Sequence, residues 1–93
     1  MNFEWDPEKA RRNKARHGVS FELVRSFDLD NAKIVEDDDI DYGESRLVAV
    51  GLIRDRIYVL VFVERGDVIR VISLRKANKK EADEYVEYLE KGW

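Results

Sequence analysis

The stretch RIYVLVFVERGDVIRVISLR, residues 56–75, decides the fold. Two runs rich in β-branched and aromatic residues flank an Arg-Gly pair, which is the composition of two strands joined by a tight turn. Upstream, RLVAVGLI at residues 46–53 precedes Arg54-Asp55 and extends the pattern to an antiparallel meander. AKIVE at residues 32–36 supplies a fourth strand. With Arg65-Gly66 as a two-residue turn, Glu64 faces Asp67, Tyr58 faces Ser73 and Val61 faces Arg70. One sheet face then carries Tyr58, Leu60, Phe62, Glu64, Ile69, Val71, Ser73 and Arg75. The other carries Val59, Val61, Val63, Val68, Arg70, Ile72 and Leu74. Both are largely apolar, which predicts helices over one side and a second side that is partly exposed or covered by a partner. A bulge would exchange the faces.

Helical signals lie on either side of the meander. Asp6 followed by Pro7 opens a helix over EKARRNKARH, and Gly18 stops it. Ser20 caps a second helix, in which Phe21, Val24 and Phe27 recur at intervals of three. Asn78 with Glu81 forms a capping-box pattern that starts the last helix, and Gly92 ends it. The fold class expected is α+β: two N-terminal helices, a four-stranded antiparallel sheet and a C-terminal helix, in a single domain over residues 1–93.

The chain has 93 residues, no cysteine and one histidine. Disulfides, thiolate metal sites and cysteine nucleophiles are thereby excluded. The N-terminal residues lack a signal-peptide apolar run, and no stretch approaches a membrane span of ~18 residues, so a cytoplasmic location is expected. The formal net charge of −3 conceals a blocky distribution. Residues 1–27 balance at +2, 28–44 at −7, 45–80 at +6 and 81–93 at −4. Two basic blocks can therefore share a face in a chain that is acidic as a whole.

Several residues carry candidate chemistry. Arg70 interrupts an aliphatic run, where a guanidinium needs either an ion-pair partner such as Glu64 or a phosphate. Arg65, Arg75 and Lys76 stand at strand ends. His17 is the only side chain that ordinarily titrates near neutrality, and it is either a helix-terminal cation or a proton-transfer group. Glu64 is either a general base or the partner of an arginine. The acidic run DDDIDYGE at residues 37–44 lacks the ligand spacing of a calcium loop and reads as a solvated loop.

FEWDPEKARRNKARHGVSFE at residues 3–22, YGESR at residues 42–46 with Gly51 after it, ERG, and RVISLRKANKKE at residues 70–81 follow one another in an order that resembles the BrnT family of bacterial type II toxins. The resemblance runs from Phe3 to about Tyr85. It implies a fold similar to RelE-like ribonucleases, RNA cleavage that inhibits translation, and neutralisation by a ribbon-helix-helix antitoxin, BrnA. Toxin and antitoxin together would repress their operon, with operator DNA bound only through the antitoxin. No metal or cofactor is implied, and no membrane partner. Under this reading Arg70 and Arg75 stabilise the phosphate, and His17 or Glu64 transfers the proton. Lys14, Arg65 and Lys76 contact RNA, while the ribose 2′-hydroxyl attacks phosphorus to leave a 2′,3′-cyclic phosphate. This division of roles follows from chemistry, not from the family. The alternative is a non-catalytic module that binds a DNA-binding partner.

Overall fold

The computed structural model describes residues 2–37 and 45–91. Strand β1 (Asn2–Glu4) leads into helix α1 (Pro7–His17), followed by a 3-10 helix at Phe21–Ser26. Strands β2 (Lys33–Asp37), β3 (Arg46–Ile53), β4 (Arg56–Arg65) and β5 (Val68–Lys76) come next, and helix α2 (Lys79–Lys91) closes the described chain. The solvated loop expected at residues 37–44 and the stop at Gly92 lie outside the described residues, except Asp37, which ends β2.

The helix ends form as the local chemistry dictates. The Glu8 amide donates to Asp6 Oδ1 at 2.9 Å, and Gly18 takes the left-handed conformation, φ 71°, that lets its amide reach the Lys14 carbonyl at 2.8 Å. At α2 the capping box is reciprocal. The Glu81 amide donates to Asn78 Oδ1 at 2.8 Å and the Asn78 amide to Glu81 Oε1 at 2.9 Å. Ser20 caps as expected, accepting from the Glu22 amide, but the helix it opens is a six-residue 3-10 turn.

The α+β class holds, whereas the expected two α-helices and four antiparallel strands do not. The sheet has five strands in the order β1-β5-β4-β3-β2, and β1 runs parallel to β5. Three residues, Asn2 to Glu4, add this strand by pairing with Val68 to Arg70. So short a run carries no readable alternation, which is why it was not foreseen.

The β4–β5 register also departs from expectation, and the departure shapes the functional face. The turn residues are Gly66 and Asp67, so Arg65 faces Val68 and Glu64 faces Ile69. Gly66 takes φ 60°, a conformation glycine adopts without the clash of a Cβ and therefore favours as the first turn residue. A bulge then shifts the register: Phe62 faces Val71, Val61 faces Ser73, and Tyr58 faces Lys76. Ile72 is the extra residue, and beyond it the faces of β5 exchange. Leu74 joins Leu60 and Phe62 on one face, while Ser73 and Arg75 join Arg70, Val59, Val61 and Val63 on the other.

The first face is the core. Helix α1 and the 3-10 helix pack onto it, burying Phe21, Val24 and Phe27 with Ala49, Leu60, Phe62, Val71 and Leu74. Helix α2 lies against β3 and covers only part of the second face, with Tyr85 buried and its hydroxyl donating to the Asn31 carbonyl at 3.3 Å. Val35 on the edge strand remains 51% exposed. No helix among the described residues is long and apolar enough to cross a membrane.

Gly51 is closely approached by core side chains. A Cβ there would stand 3.0 Å from Phe27 Cζ and 3.1 Å from Ala32 Cβ, so Gly51→Ala is expected to cost about 1–3 kcal/mol by overpacking. A lowered Tm, partly restored by adding Phe27→Leu, checks this.

Candidate nucleic-acid interface

The register shift at Ile72 brings Arg70, Ser73 and Arg75 onto one face of β5. Their environments differ. Arg75 is gripped by α2: Nη1 donates to Glu81 Oε1 at 2.8 Å and Nη2 to Glu81 Oε2 at 2.7 Å. This two-pronged pair holds the Glu81 carboxyl below, and the Arg75 guanidinium above, its ordinary range. Arg70 meets Glu4 of β1 at 3.4 Å through a single contact between partly exposed side chains, a geometry worth little in stability and readily exchanged. Their β4 partners, Val63 and Val59, are four residues apart, so the two arginines stand about 13 Å apart along the sheet at ~3.3 Å per residue, and their acidic partners lie on different elements, β1 and α2. They suit neighbouring phosphates better than one.

Helix α1 runs beside β5 where β1 no longer pairs with it. Asn13, 7% exposed, fills the gap at this edge. Its Nδ2 donates to the carbonyls of Leu74 at 2.7 Å and Val19 at 3.1 Å, and its Oδ1 accepts from the Leu74 amide at 3.2 Å. Asn13 thus pairs both backbone groups of Leu74 as another strand would, satisfying groups that are costly to bury unmatched. The clamp also fixes against β5 the end of α1 that carries His17.

His17 is half-buried, and its pKa lies below the ordinary 6.5 because of burial first and the positive charges of Arg16 and Arg75 after it. Near neutral pH the imidazole is therefore neutral and able to accept a proton. This departs from the reading of His17 as a helix-terminal cation. An open cleft of about 200 Å³ lies beside it, lined by Lys9, Arg12, Asn13, Arg16, His17, Ile72 and Ser73.

The remaining sequence candidates lie apart from this cleft. Glu64 and Arg65 stand at the far end of the hairpin, where Glu64 lines a separate depression with Asn2, Gly66, Asp67 and Ile69. Val59, opposite Arg75, is five residues from Glu64, or about 17 Å along the strand. Glu64 therefore neither pairs with Arg70 nor reaches a phosphate at Arg75. Lys76 points to the face opposite Arg75, as adjacent strand residues do. Lys14 lies on another flank of α1, lining a hollow with Trp5, Arg11 and Phe21. Asn13 was missed, although asparagine amid good helix formers in ARRNKAR was a signal that tertiary contacts hold it there. Glu81 was read only as a cap.

A small α+β domain with a cationic cleft, a neutral histidine and a forked arginine is suited to a polyanionic substrate. Residues 5–81 match the sequence pattern of the family described as the ribonuclease toxin, BrnT, of a type II toxin-antitoxin system, and the chain belongs to that family. An antitoxin partner and ribonuclease chemistry accompany that membership. Comparison with curated proteins returned no match.

Proposed function

We propose that the chain is an endoribonuclease toxin that cleaves RNA without a metal ion, acting through His17 and Arg75. The observation that carries this reading is a guanidinium whose two prongs hold a pair of acidic oxygens, in a domain whose one half-buried imidazole lines a cationic cleft and is kept neutral by burial and by the charges of Arg16 and Arg75. His17 removes the proton of the ribose 2′-hydroxyl. The oxygen attacks the adjacent phosphorus, the bond to the 5′-oxygen breaks as that oxygen takes a proton from water, and a 2′,3′-cyclic phosphate and a 5′-hydroxyl result. Arg75 stabilises the charge that builds on the phosphoryl oxygens. Glu81 occupies the fork in the free protein, so substrate binding exchanges one acid for another. Arg70, released from Glu4, contacts a flanking phosphate, and Arg65 at the hairpin end lies farther along the same face.

The RNA consumed is message or ribosomal RNA in the cytoplasm, so translation stops. A BrnA-like ribbon-helix-helix antitoxin neutralises the toxin by covering the open part of the second sheet face, where Val35 is exposed, and carries it to operator DNA. Val86 and Leu89 of α2, 45% and 47% exposed, add apolar surface for such a partner.

Purified chain incubated with RNA in excess chelator tests the proposal. Fragments ending in cyclic phosphate are expected, and intact RNA with and without ribosomes would favour a non-catalytic module. The separation of Glu64 gives a second expectation: Glu64→Gln keeps cleavage within about twofold, as surface changes away from a site do. Single-turnover rates check it.

A further inference from the structure

We infer that the α1 cleft is an RNA-backbone track, in which Lys9, Arg12 and Arg16 hold successive phosphates of the strand that leads to the bond cut beside His17. The inference rests on the ribonuclease reading and adds the substrate's path. The three cations recur at i, i+3 and i+7, so they form one stripe along α1, with Asn13 and His17 in the same stripe. The stripe spans about 10 Å at ~1.5 Å per residue. That length is commensurate with two or three phosphates of a single strand.

Three further observations favour a ligand over a merely solvated face. Lys9 and Arg16 make no ion pair among the described residues, and Arg12 has only a 3.6 Å contact with Glu8 while 77% of its side chain is exposed. By contrast, Arg11 on the same helix pairs with Glu8 at close range. The stripe faces the register shift, so Ser73 and the backbone at Ile72 form the opposite wall of the cleft. Among the described residues the lining of the cleft includes no carboxylate, whereas the hollow on the Lys14 flank includes Glu22. A cation-lined groove that tracks a backbone binds single-stranded RNA with a strong dependence on salt.

The test uses the full chain and a single-stranded RNA of mixed sequence, 2′-O-methylated throughout so that it binds without being cut. Lys9→Gln, Arg12→Gln and Arg16→Gln are combined, with Arg56→Gln, Lys79→Gln and Lys80→Gln as a charge-matched control. The stripe variant is expected to bind at least about tenfold more weakly, with a salt slope lower by about 2, since each lost phosphate contact removes about 0.7. The control is expected to bind like the unaltered protein.

Equal weakening in both variants would reduce the effect to net charge and overturn the inference. So would unchanged binding by the stripe variant, or a loss on Lys14→Gln alone as large as that of the triple change. Unmethylated RNA, assayed in parallel, separates the inference from the ribonuclease reading. Stripe-dependent binding without cutting upholds the track and defeats the enzyme. Cutting that ignores the stripe does the reverse. Circular dichroism and Tm confirm that the variants are folded.

Discussion

Arg75→Ala is expected to reduce RNA cleavage by about 10²–10³-fold, the scale on which enzymes lose rate when one preorganised charge-stabilising donor is removed. The same change removes a bidentate pair whose side chains are 34% and 24% exposed. Solvent screening keeps such a pair near about 1 kcal/mol, which for a domain of this size is a fall in Tm of roughly 4–8 °C. Two effects therefore accompany one substitution, and activity must be read at a temperature where the variant is fully folded. Glu81→Gln separates them. It breaks the same ionic pair and lowers stability, yet leaves the guanidinium free, so cleavage is expected to be retained or raised. Arg75→Lys keeps the charge but loses the planar fork, and is expected to recover only a small part of the rate. If Arg75 served the fold alone, both Arg75→Ala and Glu81→Gln would lose activity in proportion to unfolding.

The pair also predicts an acid limb in stability. The Glu81 carboxyl is held below its ordinary 4.5, first by the Arg75 hydrogen bonds. A carboxyl with a depressed folded-state pKa contributes stability that is fully present above the ordinary value and is lost as pH falls through the depressed one. In Arg75→Ala that limb should shrink, which denaturant unfolding between neutral and acid pH measures.

Much of the frame was legible because it rests on local chemistry. Asp6-Pro7 and Gly18, and Asn78 with Glu81, fix helix ends through groups within a few residues of one another. The valine-rich alternation of residues 56–63 likewise fixed a strand. The position of Arg75 was not legible, because it depends on Ile72 being skipped by β4, and nothing in VIRVISLR distinguishes Ile72 from its aliphatic neighbours. One unpaired residue reversed the face of everything after it. The same limit applies to Asn13 and Leu74, which meet across 61 positions of sequence. The candidate site is thus assembled from long-range pairings: an asparagine that completes a strand edge, a bulge that turns an arginine over, and a capping glutamate that reaches back to hold it. Composition could nominate His17 and Arg75 separately, and only the fold sets the Arg75 charge to act on His17 and leaves Glu64 at the far end of the hairpin.

His17→Ala is expected to lower kcat by about 10²–10⁴-fold, the range that positioned proton transfer contributes, while binding of uncuttable RNA changes little. Its pH dependence is the sharper observable. As a base, His17 acts when unprotonated, and burial together with Arg16 and Arg75 places its pKa below 6.5. Cleavage by the unaltered protein should therefore be level through neutral pH and fall only as acid pH protonates the ring. Arg16→Gln removes one of the two named positive charges, so the midpoint of this limb should move to higher pH even at saturating RNA. His17 also bears on stability with a definite sign. Because its folded-state pKa is lowered, stability is full above the unfolded value near 6.5 and is lost as pH falls through the folded-state value. His17→Gln should remove that slope with the rate. A pH–rate profile unmoved by Arg16→Gln, or His17→Ala protein that cuts RNA at an undiminished kcat, would take the imidazole out of the reaction and leave it as a support for the end of α1.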